Sequence, residues 1–276
     1  MAITASDVNK LRQQTGAGMM DCKNALVEAN GDFETAIDIL RKKGQKIAAK
    51  RGDNDAKEGV ILAQANADGK SGVILGLNCE TDFVAKNDGY VALVQSFVDL
   101  ALANLPATAE ELKALKYDEK LTVEEKITEQ IGVIGEKLDL SNYGVIRADK
   151  VVAYNHPGNQ LATLVGLNSS SDAAAEAGRQ VAMQVAAMSP IALNKDGVDQ
   201  RTIEREIEIG KELAIQEGKP ADMAEKISMG RLNKFFQENT LLSQQFIRDN
   251  KMTVEQFLSS TEKDLTVTEF KRFSLS

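Results

Sequence analysis

The stretch Ile74-Leu75-Gly76-Leu77-Asn78-Cys79-Glu80-Thr81-Asp82 decides the fold. It can be laid over Leu164-Val165-Gly166-Leu167-Asn168-Ser169-Ser170-Ser171-Asp172 with Gly-Leu-Asn and the Asp in register. Around the first copy, Val60-Ile61-Leu62-Ala63-Gln64-Ala65 and 71–78 read as strands joined by a turn at Asp68-Gly69. Around the second, Lys150-Val151-Val152-Ala153-Tyr154 and 161–167 form a similar pair about His156-Pro157-Gly158-Asn159. Pro then Gly suits the middle of a type II turn, whose second central position needs a positive φ. Each copy runs into a helix-like segment. One lies near 90–103, and the other carries Ala174, Gly178, Val181, Val185 and Met188 at the steps of a close packing seam. These features predict two related β-β-α units that share one core.

Ahead of the units, Val8, Leu11 and Thr15 share a helical face after Ser6, the expected N-cap. Gly16-Ala17-Gly18 breaks that pattern, and Met19, Cys22, Leu26 and Ala29 form a second stripe. Asn30-Gly31-Asp32 supplies a turn and cap before a third, Phe33, Ile37 and Leu40, ending at Gly44. A basic run from Arg41-Lys42-Lys43 through Lys46 to Lys50-Arg51 reads as helix C-terminal charge plus a solvated linker, with an RNA contact as the sharper alternative. Residues 124–138 form a helical bridge between the units. Residues 199–217 and 220–237 form a charged αα-hairpin that projects from the core; Gly218-Lys219-Pro220 stops one helix and starts the next with Pro at its first position. The alternating end, 265–273, returns to a sheet. The expected division is a three-helix domain (1–54), a first core subdomain (55–142), a second (143–192 with 238–276) and the hairpin excursion (193–237). The fold class is α+β.

Composition limits what such a chain does. Its 276 residues are 43% hydrophobic and 27% charged, ordinary for a folded protein. A net charge of −8 argues against binding nucleic acid by neutralising phosphates. The N-terminus lacks the basic flank and apolar run of a secretion signal, and no apolar stretch reaches the roughly 18 residues of a membrane span. The two cysteines, Cys22 and Cys79, lie far apart, so a reduced cytoplasmic protein is the simplest expectation. A single histidine, His156, excludes schemes built on several imidazoles or on paired-histidine zinc sites.

The candidate sites each carry a plainer reading. Asp68-Gly69-Lys70-Ser71 ends like a phosphate-binding loop, but Gln64 stands where the first Gly belongs and the segment joins two strands. No nucleotide, cofactor or metal is expected to bind the chain itself. His156 reads as a turn histidine, with partner contact as the next possibility. Met19 and Met20 point roughly 100° apart on a helix, so both are not fully buried in a small bundle; core packing and an adaptable partner surface stay open. Thr81-Asp82-Phe83-Val84 is the sharpest feature. Phe83 either staples the following helix to the sheet or faces a partner, and its counterpart in the second unit is Ala173.

Thr15-Gly16-Ala17-Gly18-Met19-Met20-Asp21-Cys22-Lys23 and Glu80-Thr81-Asp82-Phe83-Val84-Ala85 resemble the two signatures of the elongation factor Ts family. Ile134-Gly135-Glu136, Tyr154-Asn155-His156, Ala182-Met183 and Gly218-Lys219-Pro220 continue the match, which holds in order from residue 4 to about 273. The resemblance implies a ubiquitin-associated-like (UBA-like) helical domain, a core of two related subdomains, and an antiparallel coiled-coil protrusion. It implies a non-enzymatic guanine nucleotide exchange factor for elongation factor Tu, bound both with GDP and without nucleotide. Thr81, Asp82, Phe83 and Val84 would act near that GTPase's phosphate and magnesium site with Ile134 beside Phe83. Met19, Met20 and Lys23 would touch another helix, and His156 would face the partner. The sequence departs from the family at Gln184, where His is usual, and at the His156-Pro157-Gly158 turn; the resemblance also implies that many members continue into another helical module past the final strand, where this sequence stops at Ser276. The alternative is a binding scaffold whose bundle recognises helical or ubiquitin-like partners; an enzyme is the third reading, with no constellation behind it.

Overall fold

The computed structural model describes residues 3–275, apart from the side chains of Ser141, Ala221 and Asp222. Residues 1, 2 and 276, the outer ends of the expected first and last units, lie outside the described residues.

The chain opens with α1 (Ala5–Thr15), α2 (Met19–Glu28) and α3 (Phe33–Arg51). Thr4, not Ser6, is the first N-cap: its side chain accepts from the Asp7 amide while the Asp7 carboxylate accepts from the Thr4 amide, a reciprocal pair that Ser6 cannot make from inside the first turn. Asp32 caps α3 as the sequence predicts. Leu11, Cys22, Ala25, Leu26 and Ala36 fill the centre of the bundle. Gly44 does not end α3, and the basic run is no linker; the helix continues to Arg51, with Lys50 and Arg51 in its last turn. Gly44 is instead the point where α3 meets a core helix.

The core contains two three-stranded antiparallel sheets. In the first, β1 (Glu58–Ala65), β2 (Ser71–Cys79) and β3 (Asp139–Arg147) lie in that order. Between β2 and β3 come α4 (Asp82–Ala85), α5 (Asp88–Asn104), α6 (Ala109–Ala114) and α7 (Val123–Ile134). In the second sheet, β4 (Lys150–Asn155) and β5 (Leu161–Leu167) are followed by α8 (Asp172–Met188), α9 (Gln200–Gln216) and α10 (Ala221–Asn239). A small ribbon of β6 (Gln245–Phe246) and β7 (Asp249–Thr253), then α11 (Val254–Thr261), precede β8 (Val267–Ser274), which pairs with β5. The architecture is α+β.

Alternation of side chains along each strand explains the layering. Val60, Leu62, Val73, Leu75 and Leu77 point to α5 and α7, where Tyr90, Phe97 and Ile131 complete one core. The intervening Ile61, Ala63 and Ile74 point the other way and meet Val151, Ala162 and Leu164 of the second sheet. Val165 and Leu167 then face α8 and α11. Each unit therefore carries helices on its outer face and shares its inner face. The two copies of Gly-Leu-Asn also behave alike: the third strand slips register between Gly76 and Asn78 in one sheet and between Gly166 and Leu167 in the other. A Cβ on Gly166 would stand 2.9 Å from Ile146 of the opposite sheet, so the glycine sets how closely the sheets approach.

The hairpin between β4 and β5 also docks on the edge of β1, where the Ile61 amide donates to the Asn159 carbonyl at 2.7 Å and the Ala63 amide to Asn155 Oδ1 at 2.7 Å. Gly158 has the positive φ, 92°, that the turn requires. At the other turn, Pro220 is the N-cap of α10 and not its first helical residue; its carbonyl accepts from Met223 and Ala224 while Gly218 (φ 78°) closes α9.

Candidate functional site

Strand β2 ends at Cys79, and the next two residues turn the chain outward. Thr81 has extended backbone and caps the single turn of α4, its hydroxyl accepting from the Val84 amide. Ala85 is buried and Val84 packs partly against the core, so the turn leaves its other side, with Phe83, to solvent. Phe83 is 84% exposed. The staple reading of Phe83 is thereby overturned: Ala85 and Val84 already anchor α4, and most of the aromatic ring faces solvent. Asp82 pairs with Lys86 at 2.6 Å, and that hydrogen bond holds its carboxyl below the ordinary range.

Two carboxylates fix this turn. Glu136 Oε2 accepts from the amides of Glu80 and Thr81, both at 3.1 Å, and Glu136 Oε1 accepts from the Thr81 hydroxyl at 2.7 Å. Glu80 in turn accepts from Arg51 Nη1 at 2.8 and 2.9 Å, from Asn54 Nδ2 at 3.0 Å and from the Lys137 amide at 2.6 Å. The Lys137 ammonium donates to the carbonyls of Gly52 and Asn54. Ionised oxygens facing several N–H donors make the stronger class of hydrogen bond, and the Glu80 carboxyl titrates low, chiefly because of the Lys137 amide. The start of the exposed turn, the end of α7 and the end of α3 thus form one polar knot. Beneath it the Cys79 thiol is pushed up to about 11 by burial.

Ile134 is the last residue of α7, half-buried beside Phe83. Together with Val84, Tyr90, Leu93 and Val133 it lines a shallow apolar groove at the foot of the exposed ring. Gly135, with φ 82°, ends α7 and turns the chain toward Glu136. Val133 also packs against the first bundle, next to Gly16. Two residues beyond the Gly16-Ala17 corner, Met19 and Met20 open α2 at 55% and 63% exposure, with Lys23 exposed one turn on. Core packing of Met19 is overturned, because Ala17 and Cys22 occupy the bundle interior on either side of it.

The candidates therefore fall into three places. Thr81, Asp82, Phe83 and Val84 adjoin Ile134; Met19, Met20 and Lys23 sit on the bundle; His156 lies on the β4–β5 turn. His156 is exposed, and its Nδ1 lies 3.0 Å from the Tyr154 hydroxyl. Sequence reasoning missed Glu80 and Glu136 as site residues. Their spacing of 56 positions leaves no local pattern, although Glu136 does follow a glycine at a helix end. Among the described residues no group of three or more His, Cys, Asp or Glu is arranged to hold a metal, and no helix is long and apolar enough to cross a membrane.

A family model described as "Elongation factor TS" matches residues 80–276, beginning at the first residue of the exposed turn. The chain is by this relationship a translation elongation factor. It is similar over its whole length to curated proteins called Elongation factor Ts: 53% identical to that of Christiangramia forsetii over 99% of this chain and 98% of the relative. The corresponding figures for Amoebophilus asiaticus are 55%, 99% and 98%, and for Porphyromonas gingivalis 47%, 100% and 99%. The chain belongs to the elongation factor Ts family.

Proposed function

We propose that this chain binds elongation factor Tu and accelerates the release of GDP from it, making and breaking no covalent bond. The observation that carries the proposal is the exposure of Phe83 on a turn held by carboxylates on its inner side. An exposed aromatic ring on a fixed mount is suited to insertion between helices of a partner. Inserted near the phosphate and magnesium site, it would favour the nucleotide-free GTPase. Linkage then requires that GDP affinity fall by the same factor that the chain's affinity for the empty form exceeds its affinity for the GDP form.

Burying one Phe contributes about 1.5–3 kcal/mol, or roughly ten- to a hundredfold in an equilibrium. A wider interface has to share the work. Asp82 and Ile134 extend the surface beside the ring, while Met19, Met20 and Lys23 add contact from a UBA-like bundle. His156 faces the partner from the core, and α9 with α10 forms a coiled-coil protrusion. The setting is the cytoplasm.

The test is release of a fluorescent GDP analogue from elongation factor Tu with and without this protein. Acceleration largely lost in Phe83→Ala supports the proposal; no acceleration at saturating protein refutes it.

A further inference from the structure

We infer that Glu136 is a positioning residue for the Phe83 turn, holding it in its binding-competent geometry before a partner arrives. This deepens the exchange reading and rests on it. The carboxylate reaches the turn from across the fold, after the end of α7, and takes both backbone N–H groups that precede α4 as well as the Thr81 hydroxyl. Behind it, Glu80 is held by Arg51, Asn54 and the Lys137 amide, so the residue that begins the turn is fixed from both sides.

The duplicated unit supplies an internal control. There Ser171 occupies the place of Thr81 and Ala173 the place of Phe83. Glu262, which caps the end of α11, is the counterpart of Glu136, and it accepts from the hydroxyls of Ser169 and Ser171. The Ser171 amide, however, donates to Ser169 Oγ at 3.4 Å and not to that carboxylate. Both units tie the N-cap hydroxyl to a distant Glu. The unit that carries the exposed aromatic ring also has its backbone chelated by that Glu. Shape alone needs the first feature; placing a ring accurately in a partner needs the second.

An unheld turn samples other conformations, and apparent affinity falls in proportion to the competent fraction. Glu136→Ala is expected to lower both GDP release and affinity for nucleotide-free elongation factor Tu by about tenfold. It should also speed hydrogen exchange at the Glu80 and Thr81 amides while core amides stay protected. If Glu136 acts through Phe83, the loss disappears in the Phe83→Ala background, as a double-mutant cycle reads directly. An equal loss in both backgrounds, or a variant with unchanged exchange activity, overturns the positioning role while leaving the exchange reading in place. No acceleration by the unaltered protein overturns the exchange reading and this inference with it. Should Glu136→Ala lose cooperative melting, Glu136→Gln keeps the shape and one acceptor oxygen and undergoes the same cycle.

Discussion

Gly132 on α7 lies so close to Gly44 on α3 that a Cβ built on it would stand 2.9 Å from the Gly44 Cα. The reverse addition, a Cβ on Gly44, would meet the Thr128 carbonyl at 2.6 Å. Both obstacles are backbone, which has no rotamer to move to. The first bundle is therefore seated on the helix that carries Ile134, at an approach that leaves no room for a Cβ on either glycine.

Gly44→Ala tests that seating. Alanine favours the helix by about 1 kcal/mol over glycine, whereas overpacking costs about 1–3 kcal/mol. The clash wins if the helices cannot slide, so a net loss of about 1 kcal/mol or more in urea unfolding is expected. A gain in stability would mean that α3 and α7 separate easily.

Phe83→Ala and Met20→Ala should leave thermal unfolding within about 1 kcal/mol of the unaltered protein, because both side chains are mostly exposed. Phe97→Ala, at a fully buried ring, should cost about 3–5 kcal/mol. Differential scanning calorimetry of the three variants separates surface from core. Destabilisation of Phe83→Ala by as much as Phe97→Ala would restore the staple reading.

Glu80 gives the knot a pH dependence. Its folded carboxyl titrates below the ordinary 4.5, first because of the Lys137 amide and then through Arg51 and Asn54, with burial opposing. A lowered folded value means the contribution is complete above the unfolded value and disappears as pH falls through the folded one. Glu80→Gln should therefore be less stable than the unaltered protein at pH 7, with the difference narrowing toward pH 3. Urea midpoints at the two pH values provide the check, and a difference independent of pH would remove Glu80 ionisation from the account.

The thiols should be silent in the folded chain. Cys22 and Cys79 are both buried and free, and burial pushes Cys79 up to about 11. At pH 8 only about a thousandth of such a thiol is thiolate, the reactive form. A thiol-reactive chromophore should label neither within minutes at pH 8, and both rapidly in denaturant. Prompt native labelling at Cys79 would show that the β2 end opens.

Much of the scaffold was legible before any coordinates. Val60 to Ala63 form an unbroken apolar run of strand length, Asp68-Gly69 and Pro157-Gly158 punctuate, and Gly-Leu-Asn repeats; each is a pattern among near neighbours. Strand β3 was not legible, because its sequence Asp139–Arg147 mixes polar residues and a glycine and its partner β2 lies on the far side of α4 to α7 in the chain. The short ribbon of β6 and β7 and helix α11 escaped for the same reason. The N-cap of α1 lies at Thr4, two residues before Ser6, since the reciprocal Thr4–Asp7 pair outcompetes the hydroxyl of Ser6.

The sequence by itself determined the duplication, the helical stripes, the turn chemistry and the presence of an aromatic residue just past a strand end. Those depend on backbone preferences and on side chains within about four positions. Only the tertiary structure decided that Phe83 stands exposed, that Met19 joins the surface, and that Glu136 grips the amides of Glu80 and Thr81. Burial and long-range hydrogen bonding depend on which distant groups occupy the neighbouring space, and a residue's own sequence surroundings do not carry that information.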